Sequence, residues 1–183
     1  MTNDIEMLNC VLQNAEMGCQ GITSVRKSLK DSKVDGVLCE HLIKYGKLYH
    51  CANKMLQNRG AEPHRVSNMT KAMTRYAAQR DLKRDSSSSH IAEMMIKGNT
   101  MGVNKMSRKI REYNGNDPHV SLLAKRMLET EEENIKEMSA FLYAGSTETP
   151  ERNFFKNLSG ENFYLDKGCT NYDALSTVGQ IKP

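Results

Sequence analysis

Apolar residues recur at helical spacing along four long segments of the chain. We predict helices over about 4–30, 34–59, 90–113 and 118–143. At 1.5 Å per residue, helices of this length are about 38 Å long. The pattern therefore predicts an all-α fold with four long helices.

Several helix ends carry recognisable signals. Asn3 and Glu6 have the spacing of a capping box, in which each residue bonds the other's backbone N–H. Gly60 is typical of a helix terminator because glycine adopts the left-handed conformation without strain. Asp117 followed by Pro118 is typical of an N-cap and a first-turn proline, so the fourth long helix should begin there.

A long connector joins the second and third long helices. It contains a shorter predicted helix, about 67–81, before a run of serines that reads as a loop and N-cap. The apolar side chains of this short helix lie on one side of it: Met69, Met73, Tyr76 and Ala77.

The lengths of the connections predict how the helices are arranged. Short links make the first and second helices antiparallel neighbours, and likewise the third and fourth. The connector is long enough to travel the whole length of the bundle, which would leave the second and third helices parallel. This predicts an up-and-down four-helix bundle with a helical crossover connector, the topology of ferritin-like folds. A bundle with short loops and one extra docked helix is the alternative.

The composition changes after Gly145, so we divide the chain into a bundle domain, 1–144, and an irregular C-terminal tail, 145–183. A threonine and a proline predict a short helix over about 150–158. Large apolar side chains are frequent in the tail: Phe154, Phe155, Phe163, Tyr164, Leu165 and Tyr172. Aromatic residues at this density favour docking of the tail on the bundle or on a neighbouring subunit, with disorder as the alternative.

The formal net charge of +4 is unevenly distributed. Between 59 and 84 basic residues predominate, whereas the segment 129–137 is strongly acidic. Mutual attraction between the basic connector and the acidic helix is the simpler interpretation. The other interpretation is contact with a nucleic-acid phosphate backbone through Arg75, Arg80 and Arg84.

A bundle of this kind raises the possibility of a metal site. Ferritin-like sites use Glu-x-x-His pairs, and the closest pattern in this chain is Glu131-x-x-Asn134. Adding the nearest interior candidates on other helices gives the hypothetical ligands for iron or manganese: Glu16, His41, Glu131 and Asn134. The alternative interpretation, which needs no cofactor, is that both glutamates accept hydrogen bonds from Tyr45, Tyr49 or a lysine.

Glycines also fall inside the predicted helices: Gly18, Gly21, Gly46, Gly98 and Gly102. Each costs about 1 kcal/mol of helix stability relative to alanine, so a compensating interaction is expected. Close packing against tyrosines and methionines is one explanation. A hollow for a small apolar ligand is the other.

The sequence contains no complete catalytic set. The five cysteines have no Cys-x-x-Cys spacing, and neither a nucleophile motif nor a phosphate-binding loop is present. The first residues do not resemble a secretory signal, and no segment approaches the ~20 apolar residues of a membrane span. We therefore expect a cytoplasmic protein without a membrane-spanning segment.

Three stretches carry a resemblance to a known group: 12–18 (LQNAEMG), 89–95 (SHIAEMM) and 130–135 (TEEENI). With these stretches, 3–142 resembles a group of uncharacterised bacterial proteins of the ferritin-like helical-bundle class. The resemblance implies the fold and no particular activity. We predict a non-enzymatic protein that acts through self-association or contacts with another protein.

Overall fold

A computed structural model of the chain describes residues 2–142. Helices make up 80% of this part of the chain and it contains no strand, which confirms the predicted all-α class. The helices are α1 (Asp4–Arg26), α2 (Ser32–Gln57), α3 (Asn68–Arg84), α4 (Ser88–Glu112) and α5 (Pro118–Ser139). The predictions of a short helix over 150–158 and of a docked tail concern residues outside this part.

The predicted helix signals act as expected. The side chain of Asn3 accepts a hydrogen bond from the Glu6 backbone N–H at 2.9 Å, and the reciprocal bond completes the capping box. Gly60 has a φ of 62°, a conformation that favours glycine, just after α2 ends. A cap that we did not predict is Asp31, which accepts from the Lys33 N–H at 2.9 Å and starts α2 slightly earlier than expected.

Contacts between helices establish their directions. The Thr2 N–H donates to the Glu112 carbonyl at 2.9 Å, and the Cys10 Sγ lies 3.7 Å from the Met106 Sδ, so α1 and α4 are antiparallel. Lys44 near the middle of α2 contacts Glu133 near the end of α5. Since Arg59, just after α2, also pairs with Asp117, just before α5, these two helices are antiparallel too.

The direction in which the connector runs follows from this arrangement of helices. The short link between α1 and α2 makes them antiparallel, so α2 and α4 must run in the same direction. The Ser88 hydroxyl donates to the Asp31 carboxylate at 2.7 Å, which places the start of α4 beside the start of α2. The chain therefore travels back along the domain through α3, which packs against α1.

Apolar side chains from all five helices share one core. Leu8, Leu12, Ile22 and Leu38 have no exposed surface. Four methionines are equally buried, which agrees with their use as flexible core residues: Met7, Met106, Met127 and Met138. Within residues 2–142, none of the helices is both long enough and apolar enough to cross a bilayer.

Candidate functional site

A cluster of polar side chains lies inside the helical domain. We call Tyr45, Asn99, Glu131 and Asn134 the interior polar cluster, and each is at most 3% exposed. The Tyr45 hydroxyl lies 2.7 Å from the Asn99 Oδ1 and 2.8 Å from the Glu131 Oε2. The cluster joins α2, α4 and α5 through hydrogen bonds.

Burial changes the acid–base chemistry of this cluster. It raises the pKa of Glu131 to about 7, although the hydrogen bond from Tyr45 opposes the shift. The pKa of Tyr45 is raised well above its ordinary value, first by burial and then by the neighbouring carboxylate. One hydroxyl proton faces two acceptors, so a neutral Glu131 can complete the network by donating to the Tyr45 oxygen.

Two mid-helix glycines make room for this cluster. A Cβ at Gly18 would lie 2.6 Å from the Tyr45 ring, and a Cβ at Gly102 would lie 2.4 Å from the Glu131 Oε1. Close packing therefore explains both glycines, the first by a tyrosine as expected and the second by a carboxylate. A Cβ at Gly21, Gly46 or Gly98 would meet no atom within 4 Å, so this explanation does not extend to them.

We expect Gly102→Ala to lower the free energy of unfolding by about 1–3 kcal/mol, because the added methyl group overlaps the Glu131 carboxylate. Gly98→Ala, one helical turn away on the exposed side of α4, is the matched control. It should be neutral or stabilise by up to about 1 kcal/mol, the helix preference for alanine. Urea unfolding of both variants tests this, and equal effects would contradict the packing explanation.

Glu16 has a different set of partners. Its Oε1 lies 2.6 Å from the Lys71 Nζ, and the two side chains are 2% and 8% exposed. Its Oε2 accepts a hydrogen bond from the Val66 N–H at 2.8 Å. These contacts are of the kind that the alternative interpretation describes, since a lysine pairs with Glu16 and a tyrosine with Glu131.

The connector is held to α1 by further polar contacts. Asn9 accepts from the His64 N–H at 2.7 Å, and the Gln13 amide donates to the His64 carbonyl at 2.9 Å. Together with Glu16 bonding Val66, these residues form one polar edge along α1. We call Asn9, Gln13 and Glu16 the connector-binding edge.

His41 of α2 pairs with Glu137 of α5. Its Nε2 lies 2.5 Å from the Glu137 Oε2, and the Lys44 Nζ lies 3.0 Å from the other carboxylate oxygen. The pKa of Glu137 is lowered, mainly by its hydrogen bond with His41. Two glutamates of the acidic segment of α5, at 133 and 137, are therefore paired by α2. The basic helix of the connector, α3, packs against α1, and its attraction to α5 stays a prediction.

The structure shows where the four hypothetical metal ligands lie. Glu131 and Asn134 are neighbours on the buried face of α5. Glu16 and His41 instead pair with Lys71 and Glu137. No group of three or more His, Cys, Asp or Glu side chains in the described part could hold a metal ion. Two of the four hypothetical ligands are therefore adjacent and the other two have protein partners, so the metal set stays a prediction.

The apolar side of α3 faces outward. Met69, Met73 and Tyr76, which the apolar pattern groups on one side of this helix, are 75%, 68% and 69% exposed. The buried residues of α3 are Lys71 and Leu82, on the opposite side. The ion pair between Lys71 and Glu16 orients the helix so that its apolar side faces outward.

The three exposed residues form a continuous line. Positions 69, 73 and 76 follow the i, i+4, i+7 spacing of a single helix face. We call Met69, Met73 and Tyr76 the methionine stripe. The largest apolar patch on a monomer is often functional, and three large apolar side chains in one exposed line form such a candidate patch.

Basic residues follow the stripe at its C-terminal end, at 80, 83 and 84, whereas Arg75 lies on a different face of α3. Arg75, Arg80 and Arg84, the hypothetical phosphate contacts, are all exposed, as is Lys83. Arg80 continues the line of the stripe by one further turn. Within residues 2–142 no ion pair involves Arg80, so the C-terminal end of the stripe lies in a positive environment.

A cleft of about 420 Å³ lies at the end of the domain where α1 begins, lined in part by Asn3, Asp4 and Arg59. Its charged groups already have partners. Asp4 accepts from the Tyr113 hydroxyl at 2.6 Å, and Arg59 pairs with Asp117. The methionine stripe, whose side chains are more than two-thirds exposed in the part of the chain that the structure describes, is the stronger candidate for a functional site.

Comparisons with known proteins give no match to this chain, whether with family models, with curated proteins or with solved structures. Functional inference therefore depends on the geometry described above.

Sequence reasoning grouped the residues of the stripe on one side of α3 but did not predict whether that side is exposed. The pattern of α3 alone does not decide this, because the burial of Lys71 on the opposite side depends on Glu16 in α1. Asn99, which completes the interior polar cluster, was missed because a single asparagine in a helix carries no distinguishing pattern.

Proposed function

We propose that this chain is a non-enzymatic helical protein that self-associates through the methionine stripe of α3. The observation that carries the proposal is the exposure of Met69, Met73 and Tyr76 on one line of a helix whose other side is committed to α1. Methionine and tyrosine are both enriched at protein interfaces. Methionine side chains also adapt their shape to a partner, since they are unbranched and polarisable.

For the fold, we propose the ferritin-like four-helix bundle with one crossover, formed by α1, α2, α4 and α5. The parallel directions of α2 and α4 and the return of the chain through α3 support it. In this arrangement α3 lies outside the four-helix core. It can therefore contact a partner without disturbing the interior polar cluster.

Phosphate-backbone binding through Arg75, Arg80 and Arg84 is the competing proposal for the same helix. It accounts for the charge but leaves the three large apolar side chains without a role. Contact with a protein accounts for both the arginines and the apolar side chains, because apolar residues form the centre of an interface and charged residues its rim.

We expect the triple variant Met69→Ser, Met73→Ser, Tyr76→Ser to weaken self-association at least tenfold, because it removes the apolar centre of the contact. Sedimentation velocity of the full chain over a range of concentrations measures this. The matched control is Met101→Ser with Leu122→Ser, which changes residues 68% and 59% exposed on other helices. The control should associate as the unchanged chain does.

Two results would contradict the proposal. One is an unchanged chain that sediments as a monomer at every concentration. The other is a triple variant that associates as strongly as the unchanged chain. Salt-sensitive retention on DNA or RNA that is lost in Arg75→Ala, Arg80→Ala, Arg84→Ala, with self-association unaffected, would favour phosphate contact instead.

A further inference from the structure

The C-terminal tail contains two aromatic groups with opposite charged neighbours. Phe154 and Phe155 lie between Arg152 and Lys156, with Glu151 just before them, whereas 163–165 (FYL) lies between Glu161 and Asp166, with Lys167 just after them. The first group is net positive and the second net negative, so a basic surface favours the second. This difference in charge indicates which of the two aromatic groups is the better candidate to bind the methionine stripe.

We propose that the acidic aromatic segment 161–166 (ENFYLD) of the same chain docks on the methionine stripe. The inference rests on the proposed function, because it treats the stripe as a contact surface. It adds that the tail competes with a second copy of the chain for that surface. Aromatic rings of the segment contact Met69 and Met73, a favourable pairing of sulfur with ring edges. The two acidic residues pair with Arg80 and Lys83, both exposed on α3.

Charge on both sides supports this docking. Asp81 is the single acidic residue of α3. The helix contains five basic residues: Lys71, Arg75, Arg80, Lys83 and Arg84. Lys71 is neutralised by Glu16 on the buried side. The remaining positive charge is on the exposed side, where it complements the two carboxylates of 161–166.

The point at which the tail begins also supports it. The Leu142 carbonyl accepts a hydrogen bond from the Ser89 hydroxyl at 3.1 Å, so the tail begins beside the start of α4. The end of α3, at Arg84, is separated from α4 by residues 85–87. Residues 143–160 can span up to about 60 Å at ~3.3 Å per residue. This exceeds the length of α3, which is about 25 Å at 1.5 Å per residue.

Docking within one chain is favoured over docking of a second copy's tail. A segment joined by a short linker has an effective concentration in the millimolar range. The tail of a second copy is present only at the micromolar concentration of the protein, which is far lower. The tail therefore covers the stripe in the monomer, and self-association requires its displacement.

Photo-cross-linking of the full chain tests the proposal directly. We replace Phe163 by p-benzoylphenylalanine, whose excited carbonyl inserts readily into methionine C–H bonds, and irradiate at low micromolar concentration. The expected product has the mass of one chain, with position 163 joined to Met69 or Met73. Phe154→p-benzoylphenylalanine is the matched control and should give no link to α3.

Charge reversal provides an independent test. Arg80→Glu with Lys83→Glu should reduce the cross-link yield several-fold, as should Glu161→Lys with Asp166→Lys. All four changes together should restore it. Links from position 163 to other helices, links found only in a species of twice the mass, or failure of the combined variant to recover would each overturn the inference.

Failure of this inference can be distinguished from failure of the proposed function. If the stripe variant loses self-association but position 163 links elsewhere, the occupant is wrong and the contact surface stands. If position 163 links to the stripe but the chain never associates, the docking stands and the self-association proposal fails. Phe163→Ser, Tyr164→Ser, Leu165→Ser should strengthen association, since it removes the competitor.

Discussion

Lys71→Met is expected to lower the free energy of unfolding by about 3–5 kcal/mol, the usual effect of leaving one member of a buried ion pair without its partner. The Glu16 side chain is 2% exposed, so water cannot replace the lost ammonium group. The Val66 N–H still donates to the other carboxylate oxygen, but a single backbone bond does not compensate a buried charge. Such a loss is a large part of the 5–15 kcal/mol that typically stabilises a domain.

The matched control is Lys83→Met, which removes an exposed lysine from the same helix. It should change stability by no more than about 0.5 kcal/mol. Urea unfolding followed by circular dichroism compares the variants. Combining Lys71→Met with Glu16→Gln should recover much of the loss, because the charge that lacked a partner is also removed. A Lys71→Met protein as stable as the control would show that the pair contributes little.

The second large effect concerns pH. Glu131→Gln should make the protein more stable than the unchanged chain at pH 8, by about 3 kcal/mol at 1.36 kcal/mol per pKa unit. The folded pKa of Glu131 is about 7, above its ordinary value of 4.5. Its contribution to stability is therefore fully present below pH 4.5 and is lost as the pH rises through 7. Glutamine does not titrate, so the variant lacks this loss.

The neighbours of Glu131 do not obscure the result. Tyr45 and Asn99 face it from α2 and α4, and the raised pKa of Tyr45 keeps that group neutral across the range. Glu137 has a lowered pKa and loses its contribution only as the pH falls below its ordinary range, the opposite direction. Urea unfolding of both proteins at pH 5, 6, 7 and 8 should give a difference that grows with pH. A constant difference would contradict the raised pKa.

The helices of this protein could be predicted because their signals are local. The capping box at Asn3 and the Asp117–Pro118 start depend on residues a few positions apart, and both are present as expected. The burial of positions 131 and 134 also followed from the apolar pattern of their own helix. Predictions of this kind need no knowledge of which helices become neighbours.

The orientation of α3 could not be predicted in this way. Its apolar pattern indicates which residues share a face, but whether that face is buried depends on the interaction of Lys71 with Glu16, far away in the chain. The same limit applies to His41, whose partner Glu137 comes from α5. Periodicity within one helix contains no information about such pairs.

The connector-binding edge of α1 has a consequence for the order of folding. Its contacts with His64 and Val66 join residues that are 50–55 positions apart in the sequence, so they form after a large loop has closed. The hairpin of α1 and α2 is local by comparison and can assemble quickly. The crossover should therefore dock as a late step on a preformed hairpin, which acts as the template that positions the rest of the molecule.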